Sequence, residues 1–129
     1  PIVASMGGNA GTQTLTVAVR ALATRELVPS NYWRLILREV RIGATNGVGF
    51  AALVGVVTWV WFGSFLIGIT IALAMIINLI AAGFSGAVIP IVLRRFGFDP
   101  AISGAVFLTT VTDIVGFVAF LGLATLILF

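Results

Sequence analysis

Four apolar stretches, at about residues 1–23, 42–61, 65–93 and 100–129, leave this chain few choices of fold. Each is near or above the roughly twenty residues an α-helix needs to cross the hydrocarbon of a bilayer. With 60% hydrophobic and 9% charged residues in 129, no polar shell can be built around a water-soluble core, so lipid has to serve as the main solvent. Strands of a β-barrel would show short alternating segments of about ten residues, and nothing here alternates that way. The expected fold is an all-α membrane protein with four transmembrane helices.

The charges fall between the spans. Arg25, Glu26, Arg34, Arg38, Glu39 and Arg41 separate the first two, Arg94, Arg95 and Asp99 separate the last two, and the turn at residues 62–64 has none. By the positive-inside rule the basic loops 24–41 and 94–99 are expected in the cytoplasm, with both ends of the chain on the outer side of the plasma (inner) membrane. Tyr32 and Trp33 then suit the inner interface, and Trp59 and Trp61 the outer one. Pro1 opens directly into a span with no basic leader ahead of it, which predicts a segment of a longer protein with one more membrane helix upstream.

Residues 30–41 are predicted to form a separate amphipathic helix on the cytoplasmic leaflet. Trp33, Ile36, Leu37 and Val40 share one face, Arg34, Arg38 and Arg41 another, and Ser30 is placed to cap after Pro29. The arginine face is suited either to anionic headgroups or to a regulatory cytosolic domain.

Cysteine and histidine are both absent. That removes thiolate and imidazole metal sites, disulfides, and Ser-His-Asp or Cys-His catalysis. What remains are oxygen donors, the ligands of hard cations such as Mg²⁺. No nucleophile–base pair or paired carboxylates can be assembled, so an enzyme is not expected. No solvated basic face for nucleic acid is seen either.

Asp113 is the one charge in residues 100–129. A carboxylate at mid-membrane costs roughly 2.5–3.5 kcal/mol on insertion scales, and such groups belong to ion pathways or have a partner. Helical spacing puts it on a face with Thr109 and Gly116, and with Ile102, Ala105 and Phe120 beyond, while Thr110 and Thr112 sit to the sides. An arginine, or the amide of Asn46 or Asn78, is the competing assignment for its partner. In the first span, residues 7–14 (Gly7, Gly8, Asn9, Ala10, Gly11, Thr12, Gln13, Thr14) contain no large apolar side chain. They suit a dimer contact or a pore lining. Gly43, Gly47, Ala51 and Gly55 recur every fourth residue as a packing ridge, and Pro90 after Gly83 and Gly86 predicts a kink in the third span.

Taken together, residues 7–13, Arg20 to Arg25, Arg94 and Arg95 with Asp99 and Pro100, and Thr112, Asp113 and Gly116 resemble the MgtE magnesium channels and their solute-carrier relatives. The similarity covers essentially the whole chain. It implies a homodimeric, Mg²⁺-selective channel with five membrane helices per subunit, of which these are the last four, and with cytosolic N and CBS domains that sense magnesium. It also implies a pore at the dimer interface, lined by the first and last spans, with hydrated Mg²⁺ held at Asp113. The expected pathway residues are Asp113 with Gly8, Asn9, Thr12, Gln13, Thr109, Thr110 and Gly116. An H⁺- or Na⁺-coupled secondary transporter of a divalent cation, or a non-conducting membrane assembly subunit, are the alternatives.

Overall fold

The computed structural model describes residues 2–24, 32–97 and 99–128. They form four α-helices, α1 (Ile2–Ala23), α2 (Tyr32–Phe62), α3 (Phe65–Arg95) and α4 (Pro100–Leu128), with no strand among the described residues. Three are long and apolar enough to cross a membrane: α2, α3 and residues Gly104–Leu128 of α4. The polar run at residues 7–14 leaves α1 less apolar, yet its 22 residues reach about 33 Å and lie along the second half of α3, from Asn78 to Arg94.

Residues 32–41 are not a separate helix. No proline or glycine interrupts the chain before Gly43, so the expected amphipathic segment continues into the second span as the first turns of α2. Ser30 and Pro29 lie outside the described residues, as do Arg25 and Glu26. At the other end of α2, Gly63 adopts a positive φ of 66° and its N–H bonds the Trp59 carbonyl at 2.8 Å, closing the helix. Ser64 then caps α3 from an extended conformation, accepting from the Ile67 N–H. Two residues thus reverse the chain, and Trp59 packs edge-on against Phe65 with ring centroids 5.3 Å apart.

α3 occupies the centre, packed by α2, α4 and α1, while α1 and α2 barely touch. It is apolar all round, as a helix with neighbours on most sides should be, and it stays helical through the fully buried Pro90. Lipid tails are as apolar as leucine, so helices associate here by close fit rather than by the hydrophobic effect. The ridge of Gly43, Gly47, Ala51 and Gly55 supplies that fit. A Cβ on Gly43 would run into the Leu79 carbonyl, and one on Gly47 would lie 3.1 Å from the Ile76 Cα. Gly68 and Gly83 answer from α3, the latter against the Glu39 carbonyl.

The outer surface is apolar, with Trp61 and Leu126 each 81% exposed. A water-facing surface does not carry large apolar groups so continuously, and this is an integral membrane protein. The basic residues gather at one end of the bundle, where Arg94 donates through Nη1 to the Leu22 carbonyl at 2.7 Å and caps the last turn of α1.

Candidate functional site

The polar run of α1 is divided by the helical period. Gly7, Gly11 and Thr14 turn inward, whereas Asn9, Thr12, Gln13 and Thr16 are exposed and Gly8 is half-buried. The inward glycines are packing positions: a Cβ on Gly11 would lie 2.8 Å from Leu108 Cδ1, and one on Gly7 would strike the Asn78 amide. The outward residues form a polar stripe. Thr12 satisfies its hydroxyl by donating to the Gly8 carbonyl at 2.8 Å, and Thr16 donates to Thr12 at 2.9 Å. Back-bonding uses the proton and leaves the hydroxyl oxygen able to accept from water.

α4 is divided in the same manner. Gly104, Leu108, Thr112 and Gly116 face the bundle, and Thr109, Thr110 and Asp113 face out. Gly116 therefore parts from the face it was expected to share with Asp113. A Cβ there would sit 3.0 Å from the Ala4 Cα and 3.1 Å from Asn78 Nδ2, so this glycine lets α1 approach α4. Thr112, expected at the side, is fully buried and bonded to the Leu108 carbonyl at 3.1 Å.

Asp113 stands at mid-helix, about 20 Å from either end of α4 at 1.5 Å per residue. Its neighbour Thr112 opposes Gly8 across the α1–α4 seam, which sets Asp113 level with the polar run. No hydrogen bond or ion pair joins Asp113 to any described residue. The amide partners considered from sequence are placed elsewhere. Asn78 is wholly buried and donates to the Val3 carbonyl at 2.7 Å, and Asn46 lies beside Arg38 and Arg41 at the basic end. Among the described residues no three acidic groups cluster to hold a metal ion. On the outward face of α4 the carboxylate of Asp113 stands near Thr109, level with the outward hydroxyls and amides of α1.

Two polar residues of the interior escaped sequence reasoning. Glu39, placed in a loop by its charge, is only 5% exposed; Thr14 donates to its Oε2 at 3.2 Å and Arg38 to its Oε1 at 3.2 Å. Its phase was the available signal, since Leu35 and Glu39 continue the four-residue ridge of Gly43 to Gly55 backwards. Asn78 was weighed only as a partner for Asp113. It instead holds the node of α1, α3 and α4, with its Oδ1 buried and unpaired.

Residues 1–123 match the family described as MgtE: Divalent cation transporter. The chain belongs to the MgtE family. Its curated relatives agree: the magnesium transporter MgtE of Bacillus subtilis (strain 168) is 37% identical over 125 residues, which cover 97% of this chain. Those of Enterococcus faecalis and Thermus thermophilus are 35% and 34% identical over 97% and 99% of it. The chain spans about 28% of the length of each of these MgtE proteins. MgtE is a transporter family and not an enzyme family.

Proposed function

We propose that this chain forms the ion-conducting part of a Mg²⁺-selective homodimeric channel, in which Asp113 from each of two copies holds a hydrated Mg²⁺ on the symmetry axis. The observation that carries the reading is the state of Asp113: mid-helix, turned out of the bundle and without a partner among the described residues. Facing acyl chains, such a group costs roughly 2.5–3.5 kcal/mol. Facing a second copy across a water-filled path, two carboxylates match the charge of one divalent ion. Mg²⁺ gives up its waters reluctantly, so Asn9, Thr12, Gln13, Thr109 and Thr110 act as outer-sphere acceptors around a hydrated ion, beside Gly8. Magnesium transport by the longer relatives of the same family supports the choice of ion. The basic end of the bundle faces the cytoplasm, where the cytosolic N and CBS domains lie, and the upstream membrane helix joins α1 from the outer side.

A membrane potential supplies about 2.3 kcal/mol per elementary charge per 100 mV, doubled for Mg²⁺, so no coupled ion is required. The test is Mg²⁺ flux into liposomes carrying the full-length protein, beside Asp113→Asn and Asp113→Ala. Loss of Mg²⁺ flux or selectivity in both is expected. Unchanged flux in both would remove Asp113 from the pathway, and dependence on a proton or sodium gradient would replace the channel with a coupled transporter.

A further inference from the structure

The basic end of α2 carries an open depression on its outer face. Arg38, Arg41, Ile42, Thr45 and Asn46 line this depression of about 370 Å³, open to the outside of the bundle. Arg38 and Arg41 are three residues apart on one helical face, and Thr45 and Asn46 lie a turn further on. Thr45 donates its hydroxyl proton to the Arg41 carbonyl at 2.9 Å, which fixes its side chain at the pocket wall.

Charge and donor count favour an anion. The side chain of Arg38 is 58% exposed, and its one ion pair, to Glu39, uses only part of a guanidinium with five N–H donors. Arg41 makes no ion pair with the described residues. Two guanidinium groups and an amide thus line one depression with a single carboxylate to offset them, a donor set suited to phosphate oxygens.

Depth decides which phosphate. Ile42 belongs to the pocket wall, and beyond the last arginine of α2 it begins the exposed apolar side chains, with Val48 and Leu53, that run toward the far end; Trp33 and Leu37 are exposed on the other side of the pocket. The pocket therefore sits where the polar turns of α2 give way to its lipid-facing surface, at the level of headgroups. We propose that it binds the phosphate of an anionic phospholipid, with the acyl chains lying along the exposed apolar face below it. A free phosphate would fill the guanidinium forks and leave that face uncovered. The proposal does not rest on the Mg²⁺ reading, and its test involves no ion flux.

The test is native mass spectrometry of the full-length protein in a neutral detergent, titrated with phosphatidylglycerol and with phosphatidylcholine of the same acyl chains. Preferential retention of phosphatidylglycerol is expected. At about 1 kcal/mol per arginine near a headgroup, R41Q should weaken it roughly fivefold and R38Q/R41Q roughly thirtyfold, whereas R38K/R41K, which keeps the charge and loses the bidentate forks, should fall between the parent and the double glutamine variant. R41Q disturbs no ion pair and so reads the pocket even if the double variant fails to fold. Equal retention of the two lipids, or retention unchanged in R41Q, would overturn the proposal. Displacement of the lipid by millimolar inorganic phosphate would assign the pocket to a soluble anion. Lipid that binds only after the rest of the protein is cleaved away would assign it to a contact within the full-length chain.

Discussion

The node at which Asn78 meets α1 yields the sharpest test of the packing. Gly7→Ala puts a Cβ against the Asn78 amide, 2.7 Å from Cγ and 3.1 Å from Oδ1. Contacts this short cannot be absorbed, so the amide has to leave the Val3 carbonyl it holds at 2.7 Å. Losing an interhelical hydrogen bond in a membrane costs about 0.6–1.7 kcal/mol. Overpacking adds about 1–3 kcal/mol. Alanine's better helix propensity returns up to about 1 kcal/mol, so the bundle should lose about 1–4 kcal/mol. Asn78→Ala removes both the bond and the obstacle. In that background Gly7→Ala should be close to neutral, giving a favourable coupling of about 1–4 kcal/mol in the double-mutant cycle. Reversible unfolding in mixed micelles, followed by helical circular dichroism, measures all four corners. Additive effects, or a Gly7→Ala variant as stable as the parent, would refute the placement of Asn78 against α1.

Other substitutions probe the remaining seams. Gly83→Ala drives a Cβ into the Glu39 backbone carbonyl, where no flexible side chain can yield, and should lower stability by about 1–3 kcal/mol. Gly49→Ala, with nothing within 4 Å of its new Cβ, should stay within about 0.5 kcal/mol in the same unfolding assay. Glu39→Ala leaves the buried Thr14 hydroxyl without its carboxylate and should lose about 1–3 kcal/mol. Arg38→Ala takes the ion-pair partner from the buried Glu39 carboxylate and should lose about 1–3 kcal/mol, although the arginine itself is largely solvated. Arg94→Gln removes the cap on the Leu22 carbonyl, so amide hydrogen exchange at the end of α1 should quicken while the centre of α3 stays protected.

Several elements were legible because they depend on local chemistry alone. Gly63 and Ser64 mark the α2–α3 turn, since one supplies the positive φ and the other the cap. The four-residue spacing from Gly43 to Gly55 identified the face of α2 that meets α3. Charge was a poorer guide. Residues 30–41 read as an interfacial helix because an arginine face lies opposite Trp33, Ile36, Leu37 and Val40, and that Glu39 enters the bundle shows only in its contact with Thr14, twenty-five positions away. Gly116 was misplaced for a related reason: helical spacing relates it to Asp113, but the approach of Ala4 decides which way it turns.

Length, apolarity and the positions of the charges were enough to specify membrane helices, because a backbone in hydrocarbon has no water to bond and must satisfy itself within each span. Those properties belong to one segment at a time. Which side of α1 presents Asn9, Thr12 and Gln13 outward, and that Asp113 points away from its own bundle, are relations between segments. They follow from which glycines admit a neighbouring backbone, and a steric fit of that kind exists only once α1, α3 and α4 are assembled.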